Sequence, residues 1–216
     1  MIQQIAVIGL GRFGTAVART LSDLGQEVLA IDVDEEKVQK LAPQVTTAVV
    51  ANVTDIDAMR AVGIRNVDVA VVAVGTELKA SIVGTMVMKE LGVKSIVAKA
   101  NDDLHGKVLE KVGADRVIYP ERDTGARLAR MLTSTNIIEQ IDLDPNYSMV
   151  EMVAPSHIAG RTLAALNIRA RFGVYIMAIR SAGRMIVAPG GDDVIHEGDV
   201  VVVIGQNDNL QRFKRL

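Results

Sequence analysis

The sequence predicts an α/β protein in which a doubly wound parallel sheet is followed by a smaller α+β domain. Three observations predict it. Short aliphatic runs alternate with helix-like stretches six times before about residue 135. The first run leads directly into a glycine-rich turn, Gly9-Leu-Gly11-Arg-Phe-Gly14. The rhythm then breaks at the turn-rich stretch Asp142-Leu-Asp-Pro-Asn146, beyond which the apolar runs shorten. Parallel strands need helical crossovers and are covered on both faces, so strand–helix alternation with nearly unbroken aliphatic strands reads as a parallel sheet.

The elements follow in order. Residues 5–8, Ile-Ala-Val-Ile, form the first strand. Gly9 then allows a tight turn, Gly11 lets a phosphate approach the backbone, and Gly14 lets the next helix lie close to the strand. That helix, over 15–24, offers free N–H groups and a positive dipole end to an anion. Gly25 is placed to end it. A second strand over 27–31 ends at Asp32, eighteen residues after Gly14, where an acid hydrogen-bonds the ribose hydroxyls of adenosine. Strand, turn, helix, strand and acid in this order are Rossmann-like. A third strand covers 45–50, with a helix from about Thr54 as its N-cap. Residues 67–74 are almost purely aliphatic and end at Gly75. A helix over about 77–91 is stopped by Gly92, and a strand over 95–100 carries Lys99 near its C-terminal end. A helix over 103–112 and a strand over 115–119 follow. Pro120 then starts a helix of about fifteen residues, where its missing N–H costs nothing. Ligand is expected at the C-terminal ends of the strands.

The expected domains are 1–140 and 141–216. In the second, strands are expected over 148–154, 174–181, 184–188 and 200–204. A hairpin turn joins the middle pair, a short helix covers 162–167, and another ends the chain. Between Met152 and Gly191 there is no acidic residue but five arginines: Arg161, Arg169, Arg171, Arg180 and Arg184. Two readings stay open. The arginines form either a solvated face balanced by Asp192, Asp193, Glu197 and Asp199, or an anion pocket.

Composition excludes several classes. The 216 residues are 49% hydrophobic and 3% aromatic, so the core is aliphatic. A net charge of -2 argues against a nucleic-acid partner. The absence of cysteine removes disulfides and thiolate metal sites. No apolar run approaches the length that spans a bilayer, and nothing at the start resembles a signal peptide, so a cytoplasmic protein is expected. His105, His157 and His196 stand apart from any carboxylate partner in sequence. This weakens the alternative of a small NAD(H)-dependent oxidoreductase, which would need a proton donor; an NADH redox sensor is the related alternative. A DNA-binding version has no room for a helix-turn-helix ahead of the first strand.

A further series consists of Gly-Leu-Gly-Arg-Phe-Gly, Asp32-Val-Asp-Glu, Ala51-Asn-Val-Thr, Lys99-Ala, Val108-Leu-Glu-Lys-Val-Gly-Ala-Asp115, Tyr119-Pro-Glu-Arg-Asp123 and Leu166-Asn-Ile-Arg-Ala-Arg-Phe-Gly173. It resembles the KtrA/TrkA group of cytosolic regulatory subunits of bacterial potassium transporters, with RCK (KTN) domains. The likeness covers nearly the whole chain and is nearer to KtrA, because one copy of the unit is present. It implies an RCK_N Rossmann domain and an RCK_C domain. It also implies a homo-octameric ring built from dimers, docked on a membrane-embedded K⁺-translocating subunit of the KtrB/TrkH kind. ATP would activate the ring and ADP inactivate it, NAD(H) has been linked to the fold, and in some members cyclic di-AMP binds the C-terminal domain.

Carried onto this chain, the resemblance gives Gly9, Gly11, Arg12 and Gly14 to the phosphates, Asp32 to the ribose, and Asn52 and Val53 to the adenine. Phe13, Val33, Lys37, Ala73, Val74, Gly75 and Lys99 complete the expected nucleotide set. A second acid, Asp34, beside Asp32 argues against a ribose 2′-phosphate and hence against NADP. Glu121 is a first-turn helix acid favoured by the dipole; the resemblance adds a metal role, with Mg²⁺ or a similar cation beside the phosphates. Asn167, Ile168, Arg169 and Arg171 fall in the segment that resembles the cyclic di-AMP site.

Overall fold

In the computed structural model, residues 2–75, 77–132 and 137–214 are described. The chain divides into two compact units, Met1–Asp123 and Thr124–Leu216. The first alternates strand and helix: β1 (Gln4–Ile8), α1 (Arg12–Asp23), β2 (Glu27–Asp32), α2 (Glu35–Leu41), β3 (Thr47–Val50), α3 (Ile56–Ala61), β4 (Val69–Val72), α4 (Leu78–Glu90), β5 (Ser95–Lys99), α5 (Asp103–Val112) and β6 (Arg116–Ile118), and α6 (Pro120–Leu132) begins in it and runs on into the second. The strands form one parallel sheet in the order β3-β2-β1-β4-β5-β6. The strand order reverses beside β1, with β2 and β3 added on one side and β4, β5 and β6 on the other, and a crevice opens there above the strand ends. The two-residue period of β1 sends Ala6 and Ile8 into one aliphatic core and Ile5 and Val7 into the other. Both faces are therefore covered, as the unbroken aliphatic strands predict.

Two helix starts differ from expectation. The first helix begins at Arg12, with Gly11 as its N-cap, so the glycine turn is shorter than the sequence suggests. The third begins at Ile56 and is capped by Asp55, whose Oδ1 accepts from the N–H groups of Asp57 and Ala58. Thr54 is not the cap: its N–H and hydroxyl both turn back to Asn52 Oδ1. A carboxylate competes better than a hydroxyl for two N–H donors.

The second unit contains β7 (Ile137–Asp142), β8 (Tyr147–Val153), β9 (Arg161–Thr162), α7 (Leu163–Leu166), α8 (Ile168–Phe172), β10 (Val174–Ser181), β11 (Arg184–Val187), β12 (Val194–Ile195), β13 (Val200–Gln206) and α9 (Asn207–Lys214). Five strands form an antiparallel sheet, β11-β10-β13-β8-β7, and β12 pairs with β9. The expected hairpin is present, with Ala182 and Gly183 both at positive φ as a tight right-twisting turn requires. The sheet also takes in β7, a strand the sequence does not announce, so its pairing begins at Ile137. Phe213 and Leu210 of α9 are buried in this unit's core, where Phe172 meets Phe213 edge-on at 5.6 Å.

Candidate nucleotide site

The C-terminal ends of β1, β2, β4 and β5 surround a cavity of about 740 Å³. Its floor is the glycine turn. Gly9 sits at φ +92°, and a Cβ there would lie 3.0 Å from the backbone of Ala73 and Val74. Gly11 has nothing within 4 Å of the place a Cβ would take, so its backbone faces open space. Gly14 is buried in α1, and a Cβ would fall 1.9 Å from the carbonyl oxygen of Gly9. Gly14 does not line the cavity; it lets the helix close on the turn.

Asp32 ends β2 and ties this corner together. One oxygen accepts from the Leu10 N–H at 2.6 Å and the other from the Asp34 N–H at 2.9 Å. Lys37 Nζ lies 3.6 Å away. Each oxygen keeps a second lone-pair direction for an incoming hydroxyl. Asp34 is turned differently: its Oδ1 caps α2 by accepting from the Glu36 and Lys37 N–H groups. Those bonds, the Lys37 N–H first, hold its carboxyl below the usual range.

Val33, Lys37, Asn52 and Val53 form one wall. Val53 is seated because α4 carries Gly84 opposite it; a Cβ there would come within 2.7 Å of the valine. Phe13 and Arg12 stand at the start of α1, and Ala73, Val74 and Gly75 follow β4. The far end holds Lys99 and Glu121. Lys99 Nζ donates to Glu121 Oε1 at 2.6 Å, with the lysine side chain 11% exposed and the carboxylate 69%. The bond to Lys99 holds the Glu121 carboxyl below its ordinary range, and the nearby Arg12 charge adds to this. Arg12 itself has no carboxylate within ion-pair distance among the described residues.

Fourteen of the fifteen expected nucleotide residues thus line one cavity. Sequence reasoning missed Ile8, Ala51, Glu77, Ala80 and Asn101, which line it too. Asn101 donates from Nδ2 to the Gly75 carbonyl, and its N–H is bonded to His105 Nδ1. His105 is buried, with Nε2 3.2 Å from Ser81 Oγ. Asn101 lies two residues beyond Lys99, just past the strand end, and that position was the available signal.

Glu121 fits a cation only in part. Among the described residues no three His, Cys, Asp or Glu side chains gather to hold a metal. A lone carboxylate suits Mg²⁺ when phosphate oxygens and water supply the other ligands.

In the second unit, Asn167, Ile168 and Arg169 line a smaller concavity of about 190 Å³ with Tyr175. Asn167 takes the left-handed conformation at φ +44° and joins α7 to α8. Arg169 stacks over Tyr175, its guanidinium 5.0 Å from the ring centre. Arg171 does not line this concavity; it bonds the Leu166 carbonyl and faces Phe172. Of the five arginines, Arg180 pairs with Glu151. Asp193 and Asp199 serve turns instead, accepting from the Gly190 and His196 N–H groups.

Among the described residues no helix is long and apolar enough to cross a membrane. The chain is similar to known proteins along its whole length. The TrkA-N domain model matches residues 5–120 and the TrkA-C domain model residues 148–216. The Ktr system potassium uptake protein C of Bacillus subtilis (strain 168) is 43% identical over 215 residues, covering 100% of this chain and 97% of that protein. The Ktr system potassium uptake protein A of Vibrio alginolyticus is 39% identical over 208 residues, covering 96% and 94%. Among solved structures, the GsuK RCK domain superposes with a TM-score of 0.70 at 19% identity, over 100% of this chain and 48% of that one, a likeness of fold. With both domains matched in tandem and a relative 43% identical end to end, the chain belongs to the KtrA/TrkA family of RCK regulatory subunits of bacterial potassium uptake systems.

Proposed function

We propose that this subunit gates its transporter by binding adenine nucleotide in the 740 Å³ cavity, with ATP favouring the active state and ADP the inactive one. The observation that carries the reading is the far end of the cavity, where the Lys99–Glu121 pair is lined up with Arg12, which has no carboxylate within ion-pair distance among the described residues. In this reading the glycine turn and the start of α1 donate N–H groups to the phosphates. Asp32 accepts the ribose hydroxyls, and Val33, Asn52 and Val53 flank the base. Lys99 and Arg12 meet the terminal phosphate, which contests Lys99 with Glu121. Released in this way, Glu121 faces the phosphates and can share a Mg²⁺ ion with them. One phosphate more or less then changes which cation–anion contacts close, and a differential affinity of this kind shifts the population of two conformers.

The chain works by binding rather than by bond breaking; His105, the one histidine beside the cavity, is held in the core by Asn101 and Ser81. The assembly is a ring of eight subunits built from dimers on the cytoplasmic face of a membrane-embedded K⁺-translocating subunit. The concavity at Asn167, Ile168 and Arg169, with Arg171 beside it, takes cyclic di-AMP, and NAD(H) is a second ligand for the main cavity.

The test is calorimetric titration of nucleotide-stripped protein with ATP, ADP, NADH and cyclic di-AMP, with Asp32→Asn as control. ATP and ADP binding weakened about tenfold or more by the substitution is expected, since a hydrogen bond to a charged group is lost. Binding of NADH with no affinity for ATP or ADP sinks the reading.

A further inference from the structure

His157 sits in a short 3₁₀ turn, Ser156–Ile158, just after β8. Both of its ring nitrogens are buried, and neither has a hydrogen-bond partner among the described residues. A neutral imidazole carries one N–H and one lone pair, so this ring is unsatisfied on both sides. A protonated one would bury two unpaired N–H donors and a charge, which costs far more. The charges nearby make protonation harder still. Arg171 of α8 acts on the ring and has the same sign. Asp199 is close in the fold, since its carbonyl accepts from the Ala154 N–H, but its carboxylate is committed to the His196 N–H and ring. Arg161 of β9 is turned to the Ala165 carbonyl, and Glu197 is exposed. No carboxylate offsets Arg171 at the ring among the described residues. Burial first, and Arg171 second, hold the His157 pKa below the ordinary 6.5.

Arg171 also clips the joint between α7 and α8. Its Nη1 donates to the Leu166 carbonyl at 3.3 Å, across the left-handed Asn167. Asn167, Ile168 and Arg169, which line the smaller concavity, lie between the two ends of that clip. Ile158, Leu166 and Ile168 share the second unit's core. The histidine turn and the joint are thus coupled through one charge and one patch of core. The turn itself is closed by the Ile158 N–H to the Pro155 carbonyl and the Ala159 N–H to the Ser156 carbonyl. So short an element has little to hold it once its side chain must leave.

We propose that His157 is an acid-operated latch on the α7–α8 joint: on gaining a proton the ring leaves its buried site for water, the 156–158 turn opens with it, and the concavity at Asn167–Arg169 loses its shape. The neutral ring stays in place, so the latch is shut at about pH 7.5 and opens as pH falls towards about 5.5. The latch does not depend on which ligand the concavity takes. Any ligand that needs the joint closed binds more weakly in acid.

The experiment is hydrogen exchange on the ligand-free full-length chain between about pH 7.5 and 5.5, corrected for the intrinsic exchange rate, with His157→Phe beside the native protein. Phenylalanine keeps a flat ring and cannot charge. Protection over residues 156–173 is expected to fall about threefold or more across that range in the native chain, while β8, β10 and β13 keep theirs. The variant should hold its protection throughout. Protection that ignores pH in the native chain overturns the latch, as does the same fall in the variant. A fall shared by β8, β10 and β13 overturns it too, because the core is then melting as a whole. A second readout needs no well-folded phenylalanine variant: the imidazole C–H resonance of His157 in the native chain, identified by its loss in His157→Gln. It should titrate below 6.5; a midpoint at that ordinary value means that the ring is already in water, and the latch falls.

Discussion

Gly14 and Gly11 both lack a Cβ and differ in what one would meet. A methyl group on Gly14 would overlap the Gly9 carbonyl, whereas one on Gly11 would meet open space at an unstrained φ of -71°. Gly14→Ala is therefore expected to destabilise the first unit by about 1–3 kcal/mol, because α1 must move off the turn. Gly11→Ala should leave stability within about 0.5 kcal/mol of native while weakening nucleotide affinity. Thermal melts and titrations of the pair check both, and equal melting losses would show that the turn is not the packing device described. These roles were legible because each glycine sits at a fixed offset from an aliphatic strand. Glu77 was not legible, since it joins the cavity through tertiary position and no spacing rule marks it, whereas Asn101 was marked only by its place just past the end of β5. His105, which has no carboxylate partner in sequence, is a satisfied core residue, as an isolated histidine on such a chain is expected to be. Burial lowers its pKa from the ordinary 6.5, against a smaller opposing pull from Asp102. The unfolded chain then binds more protons than the folded one between the two values, so stability is complete above about pH 6.5 and falls as pH drops below it. His105→Gln should flatten part of that acid-side slope in melts between about pH 7.5 and 5.5, leaving the part from His157, whose pKa burial also lowers. An unchanged slope would show that His105 titrates alike in both states.

At the scale of elements, α9 shows how a short helix is fixed. Its N-terminal Asn207 accepts at Oδ1 from the Ser148 hydroxyl at 2.7 Å and donates from Nδ2 to the Pro145 carbonyl. Further along it, Phe213 is fully buried against Phe172. Phe213→Ala removes that ring from the second unit's core and is expected to cost about 3–5 kcal/mol. Hydrogen exchange should show the loss in β8, β10 and β13 and leave β1, β2 and β4 protected as in the native chain. Loss of protection in both groups alike would contradict the division into two cores. The parallel strands were readable because they are doubly buried and need no alternation. β7 was not, because its pairing slips between Ile137 and Glu139 and breaks the two-residue period. α8 escaped for another reason. Asn167 turns the chain through the left-handed region, which asparagine tolerates, so the helix expected over 162–167 ends there and a second one starts directly after it.

At the scale of the molecule, the doubly wound parallel sheet followed from the sequence once six strands and their helical crossovers were counted, while the strand order β3-β2-β1-β4-β5-β6 is what the structure adds. The family followed from motifs spread through both units. What a ligand does to the whole chain is a matter of coupling energy, which no single motif encodes. A nucleotide-binding regulator must change more than the unit it binds. Tyr119 lies in the first unit, Tyr147 and Tyr175 in the second, and the chain has no tryptophan, so in a Tyr119→Phe background tyrosine emission reports the second unit alone. ADP at about a hundred times its dissociation constant stabilises what it binds by about 2.7 kcal/mol, which should raise the first unit's calorimetric transition. If nucleotide gates, the emission transition should move as well, by the equivalent of about 1–3 kcal/mol, and by different amounts with ATP and ADP. An emission transition that stays in place while the calorimetric one rises would mean that nucleotide stabilises one unit and informs nothing beyond it. The gating reading would then fail even though the nucleotide site stood.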